Sequence, residues 1–196
     1  WVSEVVYAGL TGDFRWLFGL FFGTLYSPLV ITGLHHMSNA IDLQLIADFG
    51  GTNLWPMIAL SNIAQGSAVL AIIFLHRGNE KEEQVSIPAA ISCYLGVTEP
   101  AMFGINIKYI YPFVAAMIGS GIAGLVATTF NVMANSIGVG GIPGFLSIQT
   151  DSMAMFIVCM AIAIVVPFLL TVLFEKKQLF APKGEVEDAP VIQTQK

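Results

Sequence analysis

From Ile87 through Thr150 the only charged side chains are Glu99 and Lys108, and Glu99 sits inside Gly96-Val97-Thr98-Glu99-Pro100. A carboxylate in such apolar surroundings is costly unless it faces a cavity, a partner or a ligand, so a binding role is its first reading. Pro100 prevents a regular helix through the site and biases Glu99 toward extended backbone, which turns nearby carbonyls and amides toward a ligand. The alternative is structural, a glutamate paired with Lys108 or with a histidine to hold the bend. A second polar group, His35-His36, follows Gly33-Leu34 where a doublet is unexpected. Adjacent helical residues point in different directions, so one imidazole suits a ligand or proton partner and the other a structural hydrogen bond, unless both are core residues. Asp42, Gln44 and Asp48 continue that segment.

Together, Glu, His, Asn and freed backbone groups make the convergent polar set that a sugar, with several hydroxyls to satisfy at once, requires. A metal site is not indicated, because His76 is remote and Cys93 and Cys159 fall in no Cys-x-x-Cys or Cys/His pattern. Neither a Walker sequence nor a zincin, nucleophile-elbow or kinase motif is present, so self-contained ATP-driven transport has no support and no cofactor is called for.

The elements that must position these groups read as membrane helices. Of the 196 residues, 56% are apolar and only 11% charged, well below the charge of about 25% usual for soluble domains. The net charge of −5 comes mostly from the loop near Arg77 to Glu83 and from the tail beyond Glu175, and nothing is basic enough for nucleic acid. Phe14 to Gly33, Trp55 to Leu75, Tyr109 to Phe130 and Ser152 to Phe174 carry no charge apart from Arg15 at one edge. Each is about twenty residues long, enough for a helix to cross roughly 30 Å of hydrocarbon. Between them, Leu34 to Asn53, Ile87 to Ile107 and Asn131 to Ser147 are apolar but interrupted by polar residues, glycine and proline. They read as broken or re-entrant elements, since bent backbone at membrane depth survives only where protein or a watery cavity satisfies its amides.

Cytoplasmic flanks are enriched in Lys and Arg. If Ile87 to Ile107 dips in and returns, then Arg15, Arg77, Lys81, Lys108, Lys176 and Lys177 are expected on one, cytoplasmic, face. Residues 176–196 mix charge with Pro182 and Pro190 and read as a disordered cytoplasmic tail. In the helix from Tyr109, the small residues Ala116, Ser120 and Gly124 recur every four positions, as do Gly119 and Ala123, which permits close helix approach. Cys93 and Cys159 read as packing residues, because membrane-embedded thiols rarely meet oxidant. Trp1 is not a start residue and no basic segment precedes the first apolar stretch, so a fragment is expected.

Gly96-Val97-Thr98-Glu99-Pro100-Ala101-Met102-Phe103-Gly104 closely resembles the signature of the glucose superfamily of phosphotransferase-system enzyme IIC permeases, and Gly33-Leu34-His35-His36 resembles that family's histidine motif. The segments His35 to Gln44 and Gly78 to Val85 are most similar to the trehalose-specific branch, and the resemblance runs from about residue 12 to residue 175. It implies an all-α polytopic helical bundle with re-entrant hairpins, in which residues 1–175 are the C-terminal, substrate-binding part of the IIC domain. It also implies an N-terminal IIC half, a homodimer in a bacterial inner membrane, and a phosphorylated IIB domain that phosphorylates the bound sugar on its 6-hydroxyl. Carried over position by position, Glu99 and His35 are the main ligand candidates, with His36, Thr98 and Asn106 weaker ones. One departure is Ser27, where maltose- and glucose-type relatives have arginine. The expected activity is uptake of trehalose with conversion to trehalose 6-phosphate; the rivals are a sucrose or β-glucoside permease of the same system and an ion-coupled sugar symporter with Glu99 as proton carrier.

Overall fold

The computed structural model describes residues 2–180, and among them the regular structure is helical. Helix α1 (Val2–Thr11) meets α2 (Arg15–Ile31) at a bend of 117°. After α3 (His36–Phe49) come α4 (Leu54–Leu75) and α5 (Glu80–Tyr94). A return arm follows, built from α6 (Glu99–Ala101), a π-helical turn (Met102–Asn106) and α7 (Ile107–Tyr109). Two long helices, α8 (Tyr111–Thr129) and α9 (Met153–Lys176), flank a mostly irregular segment containing a 3₁₀ turn at Ile142–Ser147. The expected tail lies, from residue 181 onward, outside the described residues.

Helices α4, α8 and the stretch Thr150–Lys176 containing α9 are each long and apolar enough to cross a membrane. In α4 78% of the apolar window is buried against 28% in α9, so α4 is the central post and α9 a peripheral one. A helix buried on all sides has no use for an amphipathic pattern, which is why Leu54 to Val69 is apolar apart from Ser61, Asn62, Gln65 and Ser67.

The two poles of the bundle are set by contacts at helix ends. At one pole His76, just after α4, lies with Nδ1 2.9 Å from Glu82 of α5 and Nε2 3.8 Å from Glu175 of α9. The Tyr109 hydroxyl, at the end of α7, donates to Glu82 at 2.6 Å. Burial first, and then that carboxylate, push the Tyr109 hydroxyl above its ordinary range and keep it a neutral donor. Since Glu82 opens α5 and Tyr109 closes the return arm, this hairpin enters and leaves at the same pole. Its far end closes with Val97 N donating to Ser92 O at 2.9 Å and Ser92 Oγ donating to Val97 O at 3.0 Å.

At the opposite pole Thr52 and Ala134 exchange backbone hydrogen bonds of 3.0 and 2.8 Å, and Asn53 Nδ2 donates to Val132 O at 2.9 Å. Leu10, Leu45, Leu54 and Met57 form a small core there, with Phe18 against it. Helices α2 and α8 run antiparallel, because a Cβ on Gly124 would sit 2.5 Å from Gly19 O and one on Gly23 2.6 Å from Ser120 O. The stripe of small residues on α8 is thus consumed by packing on both sides: Gly119 abuts Pro167 of α9.

Several expectations are corrected by this geometry. Arg15 lies at the pole opposite the one that holds Arg77, Lys81, Lys108 and Lys176, because α2 begins beside the C-terminal end of α8. Moreover α3 ends at the pole where α2 starts, with Phe49 stacked on Tyr7 of α1, so α2 and α3 make a hairpin whose turn, Thr32 to His35, points inward. Within Leu34 to Asn53 the helical part is one continuous helix, α3, and the breaks lie at its two ends, at Gly33 before it and Gly50 after it, each with a φ of 76° that glycine adopts without strain. Pro88 does not end α5, which runs through to Tyr94, whereas Pro100 sits in the first turn of the return arm, where a missing N–H costs nothing. The helix expected from Tyr109 starts at Tyr111, after a turn at Ile110 and just before Pro112. Cys93 and Cys159 are buried free thiols.

Candidate substrate site

Elements dipping from opposite poles meet beside α4. The α5–α6 tip arrives from one pole; the α2–α3 turn and the loop after α8 arrive from the other. A Cβ on Gly96 would sit 2.8 Å from Gly140 Cα, so the hairpin tip and the loop touch backbone to backbone. Asn62, at mid-length on α4, donates through Nδ2 to Gly96 O at 3.3 Å.

This convergence brings His35 and Glu99 together from 64 residues apart, with His35 Nε2 4.0 Å from Glu99 Oε1. The separation is too long for a direct hydrogen bond, and it leaves room for one hydroxyl oxygen to sit about 2.8 Å from each atom. Glu99 is 47% and His35 15% exposed at the side chain, so the pair opens outward while its backing is closed. His35 is held from behind: its carbonyl accepts from Ser38 Oγ at 2.6 Å, and its ring meets the edge of Tyr26. Its Nδ1 is buried, with no hydrogen-bond partner among the described residues. Lys108, the alternative partner for Glu99, lies instead over the Tyr109 ring, 5.0 Å from its centre.

The other expected residues separate. His36 packs its ring 4.0 Å from that of His35, but is exposed on the first turn of α3. Thr98 is buried at the hairpin tip, where its carbonyl accepts from Met102 N at 2.9 Å. Asn106 is fully buried and turned away from the pair toward α4, donating to Gln65 Oε1 at 2.5 Å and to Gln65 O at 3.2 Å. Asp42 is also fully buried, accepting from the Thr52 hydroxyl at 2.5 Å and so tying α3 to the start of α4, while Gln44 and Asp48 are exposed. Among the described residues no group of histidine, cysteine and carboxylate side chains could hold a metal ion.

The sequence reading passed over Asn62 and Gln65, which organise this site from the middle of α4. Their signal was present, since amides inside an otherwise apolar crossing are expensive unless they bind something. A lack of charge, which marks Trp55 to Leu75 as a crossing, does not distinguish such amides from the apolar residues around them.

The family model for Phosphotransferase system, EIIC matches residues 1–120, a stretch that contains both the histidine doublet and the glutamate hairpin. The chain belongs to this family. The PTS system trehalose-specific EIIBC component of Escherichia coli (strain K12) is 58% identical over 162 residues, 83% of this chain and 34% of that protein. The protein of the same name from Bacillus subtilis (strain 168) is 50% identical over 171 residues, 85% of this chain and 36% of that protein. The PTS system sucrose-specific EIIBC component of Pasteurella multocida (strain Pm70) is 44% identical over 185 residues, 89% of this chain and 38% of that protein. The chain therefore spans about a third of the length of the curated relatives it matches. No solved structure matches. Within the EIIC family assignment, the helices fit a membrane permease, and the exposed Ile157, Val158, Val165, Leu169 and Leu173 of α9 are apolar as a lipid-facing side requires.

Proposed function

We propose that residues 1–175 are the C-terminal, sugar-binding part of a phosphotransferase-system permease of a bacterial inner membrane, which takes up trehalose and presents it for conversion to trehalose 6-phosphate. The observation that carries this reading is the 4.0 Å gap between His35 Nε2 and Glu99 Oε1, two groups from separate motifs left open where the surrounding backbone is closed. Glu99 accepts hydrogen bonds from sugar hydroxyls, and His35 orients a hydroxyl near the one that is phosphorylated. His36, Thr98 and Asn106 support the site from outside that contact. The relatives' names, EIIBC, support a phosphorylated IIB domain as the phosphoryl donor. An N-terminal IIC half and a second copy of the protein complete the assembly.

Uptake into vesicles carrying the full-length protein tests this. Trehalose phosphate is expected only when phosphoenolpyruvate and the soluble phosphotransfer proteins are supplied; free sugar accumulating under a proton gradient alone would indicate a symporter and defeat the reading. In competition, trehalose should displace labelled sugar ahead of sucrose, maltose and glucose, in line with identities of 58% and 50% to trehalose-specific proteins against 44% to a sucrose-specific one. A preference for sucrose would remove the trehalose assignment and leave the permease.

The same reading makes α5 with its return arm a re-entrant hairpin from the cytoplasmic face. It is supported by the pole shared by His76, Glu82, Tyr109 and Glu175, next to Arg77, Lys81, Lys108 and Lys176. Single cysteines replacing the exposed Lys81 and Lys108 should both react with an impermeant maleimide only from the cytoplasmic side. Labelling of the two from opposite sides would mean that the segment crosses.

A further inference from the structure

We infer that Gln65 is a positioning residue that sets the spacing between His35 and Glu99. The inference rests on the sugar site proposed above and deepens it. Gln65 is buried on α4 and joins the two hairpins that carry the pair. Its Nε2 donates at 2.7 Å to Ser27 Oγ on α2, eight residues before His35, and Ser27 Oγ lies 3.3 Å from Ser61 Oγ. Its Oε1 accepts at 2.5 Å from Asn106 Nδ2, seven residues after Glu99 on the return arm. Both ends of one amide are thus used, each on a different hairpin.

The chemistry explains why an amide stands here. A carboxamide carries a donor and an acceptor on one planar head, so a single uncharged side chain donates to a hydroxyl on one side and accepts from a carboxamide on the other. Ser27, Gln65 and Asn106 are each no more than 1% exposed, so no solvent competes for these bonds and none replaces them if they are lost. Asn62, three residues before Gln65 and so on the same face of α4, holds the hairpin tip through Gly96 O. The return arm is therefore fixed to the post at its tip and again near its π-helical turn, a feature frequent at functional sites. The α2 hairpin is fixed to the same post through Ser27. Since binding constellations lose function when displaced by about half an ångström, the amide that spans both hairpins governs how a sugar hydroxyl meets His35 and Glu99 together.

The test is trehalose phosphorylation by full-length protein in membrane vesicles, comparing wild type, Gln65→Met, Glu99→Gln and the double variant. Gln65→Met keeps the length of the side chain and removes both bonds. It should raise KM about tenfold, the size expected from losing roughly 1.4 kcal/mol of positioning, with the maximal rate per molecule within about twofold. In the Glu99→Gln background the same substitution should add less than about threefold, because it acts through a contact already weakened. Equal fold-changes in both backgrounds, or a fallen rate at unchanged KM, would reduce Gln65 to a packing residue. If Gln65→Met does not reach the membrane, Ser27→Ala, which removes one of the two bonds, is measured in its place. A KM raised about threefold and non-additive with Glu99→Gln supports the inference, and an unchanged KM overturns it. An unchanged KM in Glu99→Gln alone overturns the site itself, so the two failures are distinguishable.

Discussion

Glu99→Gln should weaken trehalose binding by about 1.5 to 3 kcal/mol, the usual range for hydrogen bonds to a charged group, or roughly 10- to 150-fold in affinity. Gln preserves the shape and still accepts through its amide oxygen, but it loses the charge-assisted strength that makes a carboxylate bond about twice a neutral one. The fold should not suffer. Glu99 is 47% exposed at the side chain, and the imidazole of His35 is 4.0 Å away, beyond direct hydrogen-bonding distance. Protein yield and thermal unfolding of the solubilised variant should therefore match wild type while titration with trehalose shows the loss. Glu99→Ala should be at least as severe. Wild-type affinity and phosphorylation rate in normally produced Glu99→Gln protein would make the carboxylate structural and the site assignment wrong.

Gly124→Val should act in the opposite way, on the fold and not on the chemistry. A Cβ at Gly124 meets Gly19 O at 2.5 Å, and a Cβ at Gly19 would meet Gly124 O and the Thr128 hydroxyl, so neither helix can give way by moving a flexible side chain. Apolar side chains gain nothing by leaving lipid, and the helix pair is held by close backbone approach, which a valine prevents. Overpacking of this kind costs about 1 to 3 kcal/mol. We expect an earlier thermal unfolding of the solubilised protein and less protein in the membrane, with little change in KM for the fraction that folds. Gly104→Ala is the control, since its Cβ would meet only the Val85 side chain, at 3.3 Å. If Gly124→Val unfolds with the wild type, α2 and α8 do not approach as described.

These two residues also mark the boundary between sequence and structure. A lone carboxylate beside a proline, and a small residue every fourth position, have physical consequences that hold in any apolar fold. Long uncharged stretches likewise specify helices, because backbone amides in hydrocarbon have no other partner. By itself, then, the sequence determined the all-α class, the helices α4, α8 and α9 to within a few residues, an interruption between Ile87 and Ile107, and the polar groups that had to be accounted for.

Direction and depth were not legible. Whether Phe14 to Gly33 crosses or folds back depends on one left-handed glycine, Gly33, and on whether α3 finds its partners at the pole where α2 began, as it does through Phe49 on Tyr7 and Asp42 on Thr52. That long-range choice is why Arg15 ended opposite the other basic residues. Proline is similarly ambiguous: Pro88 is carried inside α5, while Pro100 opens a helix, and only the packing around each decides which backbone groups are satisfied. Above all, the meeting of His35 with Glu99, and the turning of Asn106 away from them to Gln65, are properties of three elements held against one buried helix. Local sequence specifies which groups need partners; tertiary packing alone specifies which partners they find.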